Sequence, residues 1–210
     1  MLCSNFPLTN EHPLCLTQEE WMHPKSVFNS LFDYIDCVDL KKLLRRWLKV
    51  VCMERTVPKK NIQWIDDVHE QLLRVLEAGY LLNGEEKSTL PDEIDLMDTR
   101  WWLGRGEKGI PFDYFPRSLS KKEYCNPYRV FYTCRATYTL QEWRLLLRDC
   151  FTTGASTDLL YEVHSFDGAL DAYKLLPKLV DAAYLVHVRE FRQKKDMVAP
   201  EERVVINNTD

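Results

Sequence analysis

The residues best suited to chemistry lie between positions 99 and 118, TRWWLGRGEKGIPFDYFPRS, where three glycines and two prolines interrupt any regular element. Glycine amides beside Arg100, Arg105, Lys108 and Arg117 can form an anion-binding concavity, and Trp101, Trp102 and the rings at 112, 114 and 115 can flank a planar ligand. Asp98, Glu107, Asp113 and Arg117 are the candidates for acid–base or anion-orienting roles. Residues 104–109, GRGEKG, match GxGxxG letter for letter. That motif binds a pyrophosphate only where it follows a strand and opens a helix. Here Pro111 and Pro116 follow and no alternation of strands and helices surrounds it, so dinucleotide binding is not expected and the glycines are read as turn formers. The plainer reading of the whole segment is that its aromatics plug a seam between helices while its charges face water.

Other constellations are weaker. The five histidines include Asp66-xx-His69 and Glu162-x-His164, and only the first puts both groups on one helical face. A di-metal carboxylate site needs acids from several helices, so no metal and no cofactor are expected. Seven cysteines are scattered without CxxC pairing. Cys37, Cys52, Cys134 and Cys150 sit among apolar residues and are expected to be buried thiols. Hydrolase, zinc-protease, P-loop and kinase signatures do not occur.

The strongest electrostatic feature is the segment 41–60, where Lys41, Lys42, Arg45, Arg46, Lys49, Arg55, Lys59 and Lys60 face Glu54 alone. The first five fall opposite an apolar stripe and define a basic helix face. Such a face can follow phosphates or meet an acidic protein surface. A charge run on an amphipathic helix is also ordinarily its solvated side. The formal charge of −4 gives no overall attraction to nucleic acid, so an acidic protein partner is the preferred expectation and nucleic acid the alternative.

The elements that must position these residues are helices. Leu40, Leu43, Leu44, Trp47, Leu48 and Val51 recur at three- and four-residue steps, predicting a helix from Leu40 to Met53 capped by Asp39. Residues 64–83, WIDDVHEQLLRVLEAGYLLN, and residues 168–187, GALDAYKLLPKLVDAAYLVH, align at a shift of 104 with identities such as Leu72/Leu176 and Tyr80/Tyr184 and with the swaps Arg74/Lys178 and Glu77/Asp181. The preceding helices, from Asp39 and from Thr139, align at a shift of 100. Two amphipathic helices share residues by periodicity alone, so the match indicates duplication without requiring it.

Capping-box spacing opens a turn at Thr17/Glu20 and a helix at Thr139/Glu142, and after the bridge helix resumes either at Asn126-Pro127 or a turn earlier at Ser120/Glu123, where the same spacing occurs. Pro24 opens a helix to about Cys37, residues 91–97 form acidic helical turns, and Pro127 opens a helix for which a strand over Tyr128–Thr137 is the alternative. Asp167 or Gly168 starts the last long helix, with a kink or break at Pro177. A short helix at 156–166 and a tail at 193–210 with a docking strand at Val204–Ile206 complete the reading.

Hydrophobic residues at 45% and aromatics at 12% are globular values, and no apolar run reaches the length of a membrane span. The expectation is an all-α bundle forming one domain over 1–192, with pseudo-halves 25–98 and 118–192 bridged by 99–117. Its expected role is a non-catalytic, cytoplasmic interaction or regulatory module. An enzyme or anion binder using 99–118, and a nucleic-acid binder using 41–60, are the alternatives.

Overall fold

Three helices begin where the capping-box spacing puts them, because a side-chain oxygen at the cap and a glutamate three residues on satisfy each other's backbone N–H groups. Thr17 with Glu20 opens α1 (Gln18–Met22) and Ser120 with Glu123 opens α5 (Lys121–Cys125). Thr139 with Glu142 opens α7 (Leu140–Gly154). The computed structural model describes residues 15–53, 63–82, 95–104, 110–154 and 165–192. Among them the other α-helices are α2 (Lys25–Tyr34), α3 (Cys37–Met53), α4 (Gln63–Leu81), α6 (Tyr128–Thr137) and α8 (Phe166–His187), and there is no strand. The fold is all-α.

Several boundaries differ from expectation. Helix α3 starts at Cys37, and the cap is Asp36, whose Oδ1 accepts the Val38 N–H at 2.7 Å, so Asp39 lies inside the first turn. Helix α2 ends at Tyr34, just ahead of that cap. The strand alternative at 128–137 gives way to α6, because Pro127 presets the first turn and Val130, Phe131 and Cys134 share one buried side. Helix α8 is capped by Ser165, whose Oγ accepts the Gly168 N–H at 2.9 Å. Of the kink or break expected at Pro177 the break does not occur, since every residue from Leu179 to Val188 is buried and tertiary packing outweighs one lost hydrogen bond. A π-helical turn, Val188–Arg192, follows it. In the described part of the expected acidic helix, Met97 N–H donates to Asp95 Oδ1 in a turn instead. The bridge contains two short 3₁₀ turns, Thr99–Trp101 and Pro111–Asp113. The readings at 156–164 and 193–210 lie outside the described residues.

The C-terminal half of α8 is buried on all sides and belongs in the middle of the bundle, where α8 packs against α2, α3, α4 and α6. Trp47, Trp143, Phe28, Leu44, Leu72 and Leu176 belong to the core around it. Contacts recur across the two parts of the chain. Helices α1 and α5 have five residues each behind a capping box, and α2 and α6 have ten each behind a proline. At a shift of 103, Thr17, Glu20, Pro24, Phe28 and Lys41 correspond to Ser120, Glu123, Pro127, Phe131 and Arg144. At a shift of 104, Arg74 and Glu77 correspond to Lys178 and Asp181. The alignment of α3 with α7 at a shift of 100 is therefore displaced by nearly one helical turn. The correspondence also reaches back to Cys15, ahead of the expected first half at residue 25.

Candidate functional site

Of the five cations expected on the outer face of α3, four are exposed: Lys42, Arg45, Arg46 and Lys49. Lys41 turns inward, contrary to expectation. Its Nζ lies 2.7 Å from Asp181 Oδ1 on α8 and donates to the carbonyls of Tyr114 and Phe115, each at 3.3 Å. It also lies over the Tyr184 ring, 5.8 Å from the centroid. The reason is the carboxylate: Asp181 is 2% exposed, and a buried acid must have a cation and donors beside it. Its second oxygen accepts the Ser118 N–H at 2.9 Å.

The counterpart acid, Glu77 on α4, is 0% exposed and held in the same way. Arg144 of α7 donates to Glu77 Oε1 from Nε at 3.1 Å and from Nη2 at 2.8 Å. The Cys15 N–H donates to Oε2 at 2.8 Å. Each tie thus joins a buried acid to a cation far along the chain, Asp181 of α8 to Lys41 of α3 and Glu77 of α4 to Arg144 of α7. A shallower pair of ties accompanies these: Arg74 bonds Glu20, and Lys178 donates to Glu123 at 2.7 Å. Burial alone would raise the carboxyls of Glu20 and Glu123, but their backbone and cation partners hold both below the ordinary range.

The bridge residues form separate groups. Arg100 is exposed and folds back on Asp98, with Nε 3.0 Å from both carboxylate oxygens, which lowers the pKa of Asp98. Arg117 lies over the Phe112 ring at 4.6 Å and 3.8 Å from Asp113, on a second exposed turn. Trp102 is buried edge-on to Phe115 with centroids 5.3 Å apart, and Phe115 stacks near Tyr124. Trp101 is half-buried and its carbonyl accepts from Arg189 Nε at 3.0 Å. Arg105, Glu107 and Lys108 lie outside the described residues. Trp102, Tyr114 and Phe115 thus pack against the helices, while Phe112 is exposed and the described cations of the bridge lie outside that seam.

Sequence reasoning missed two buried acids and one half-buried cation. Glu77 and Asp181 were visible as a matched acid within two apolar helices, which is the signal that finds them. Arg189 carried no such signal. It donates from Nη1 to the Tyr124 carbonyl at 2.7 Å and lies over the Tyr124 ring, and burial lowers its pKa. With Trp101 it pins the bridge to the π turn.

Cys37, Cys134 and Cys150 are buried and Cys52 is half-buried, all as free thiols. Burial pushes Cys52 up to about 11 and Cys134 up to about 12. Among the described residues no group of three or more histidines, cysteines and acids is arranged to hold a metal ion, and no helix is long and apolar enough to cross a membrane. The chain matches no protein-family model, no curated protein and no solved structure.

Proposed function

We propose that the protein is a non-catalytic interaction or regulatory module that meets another protein through its surface. The observation that carries this reading is where the charges lie. The buried acids Glu77 and Asp181 close on cations across the two halves, where they hold the bundle together. Among the described residues, Lys42, Arg45, Arg46 and Lys49 lie outside together, on an exposed helix face that a macromolecule can cover and a small substrate cannot fill. A cytoplasmic setting fits the abundance of free thiols, which persist in a reducing compartment.

The test is purification of the tagged protein at native expression level, followed by reconstitution of any stoichiometric partner from purified components. A defined complex that forms with the purified partner supports the reading. A small anion or metabolite that raises the melting temperature of the wild type, but not of Arg117→Ala, would replace it with the ligand-binding alternative at 99–118.

A further inference from the structure

We infer that Lys42, Arg45, Arg46 and Lys49 form a docking surface for an acidic segment of a partner protein, an assignment that rests on the interaction reading above. Residues three, four and seven apart on a helix lie on one side, so these four exposed cations make a single stripe along α3. At about 1.5 Å rise per residue the stripe is roughly 10 Å long, the span of about three residues of an extended peptide. The one acid on α3, Asp39, sits at the end of the stripe, 3.2 Å from Lys42. Arg46 lies 5.0 Å from the centroid of the Trp64 ring, which orders its guanidinium before any partner arrives.

Helix α7 separates the stripe from the needs of the scaffold. It holds the counterpart place in the fold, and its Arg144 has the same inward role as Lys41 of α3. At the positions matching the stripe it carries Leu145, Arg148, Asp149 and Thr152. Leu145 is half-buried, and Arg148 lies 3.6 Å from Asp149. Helix α3 has five basic residues against one acid, whereas α7 has two against two. One inward cation is therefore enough for the architecture. Cations at three- and four-residue spacing on one helix face oppose one another. A partner carrying carboxylates reverses that sign, and arginine binds a carboxylate in a two-pronged fork. A nucleic acid is the poorer fit, because a long phosphate polymer meets the field of a chain whose formal charge is −4, while a short acidic peptide meets only the stripe.

The experiment uses the full chain and two labelled probes, a peptide of alternating aspartate and glutamate and a single-stranded DNA of equal charge, each titrated at low and at moderate salt. The expected result is peptide binding that weakens with salt and falls by about tenfold or more in Lys42→Glu/Arg46→Glu, while Arg148→Glu on α7 leaves it unchanged. Circular dichroism and melting check that the variants fold, and Lys42→Gln/Arg45→Gln provides a milder second set. Absence of peptide binding at low salt, equal affinity in the reversed variant, or tighter binding of the DNA overturns the proposal. If a reconstituted partner still binds the reversed variant, the α3 assignment fails and the interaction reading stands.

Discussion

Phe28 and Phe131 stack on each other with ring centroids 5.2 Å apart and planes 8° from parallel, although each is the other's counterpart in a different half of the chain. The contact joins α2 to α6, 103 residues apart in the chain. The same long-range joining occurs in the ties of Arg144 to Glu77 and of Lys41 to Asp181. A double-mutant cycle with Phe28→Leu and Phe131→Leu should give a coupling of about 0.5–1.5 kcal/mol in urea unfolding, the value of an aromatic pair beyond its area. Additive losses would mean that the rings act independently.

Gly79 has no room for a side chain, since a Cβ there would lie 2.6 Å from Phe131 Cδ1. Alanine ordinarily strengthens a helix interior by about 1 kcal/mol. Here the ring is held by Phe28, and overpacking of about 1–3 kcal/mol wins. Gly79→Ala should lower the melting temperature, and Phe131→Leu in the same chain should recover part of the loss. A melting temperature raised by Gly79→Ala alone would show that the ring yields.

Lys41→Met leaves Asp181 buried beside a hydrocarbon chain, with the Ser118 N–H as its remaining partner. Removing one member of such a pair costs about 3–5 kcal/mol. Adding Asp181→Asn removes the stranded charge while keeping an acceptor for Ser118, so the double variant should be more stable than Lys41→Met. Chemical denaturation of the four chains measures this, and a double variant less stable than either single one would count against the buried tie.

Burial holds the His69 imidazole below its ordinary pKa, against the opposing pull of Asp66 and Glu70, and the ring packs 5.2 Å from Phe151. The folded pKa is depressed, so the unfolded chain takes up the proton first as pH falls. The contribution is fully present above the unfolded value of about 6.5 and is lost as pH falls from there through the folded value. Stability should therefore decline below about pH 6.5 with a slope that His69→Gln reduces. Urea midpoints across that range report it, and an unchanged slope in the variant would exclude His69 as the source.

Thiol labelling should follow burial. Cys134 and Cys150 are buried, with thiols pushed far from the thiolate range, while Cys15 is exposed. Alkylation of the native protein should leave Cys37, Cys134 and Cys150 unmodified, and unfolding in urea should release them. Mass spectrometry of labelled peptides decides, and native modification of Cys134 at the rate of Cys15 would place it at the surface.

What was legible in the chain was whatever depends on near neighbours. The caps at Thr17 and Thr139 lie at the expected residues because a side chain meets its partner only three positions away, and the two alternative starts after the bridge, Ser120 and Pro127, each open a helix of their own. The apolar stripe of α3 was equally readable, since periodicity sets which side of a helix is buried. The cap of α3 was placed at Asp39 instead of Asp36, because either aspartate can cap and the periodicity does not choose between them. Periodicity likewise placed Lys41 among the outward cations, because nothing nearby in sequence announces Asp181. In the bridge, the run of rings marked a seam, but the local pairing of Arg100 with Asp98 and the stacking of Arg117 on Phe112 appear only in three dimensions.

By itself, then, the amino-acid order determined an all-helical chain, most of its helix starts, the buried sides of its long helices and the cationic run on α3. All of these follow from hydrogen bonds and periodicities that operate within a turn or two. Tertiary structure decided which charges are interior, that α8 passes Pro177 unbroken, and that Lys41 and Arg144 close on the buried acids Asp181 and Glu77. Those outcomes depend on groups brought together from far apart along the chain, where burial makes an unpaired charge more costly than any local preference.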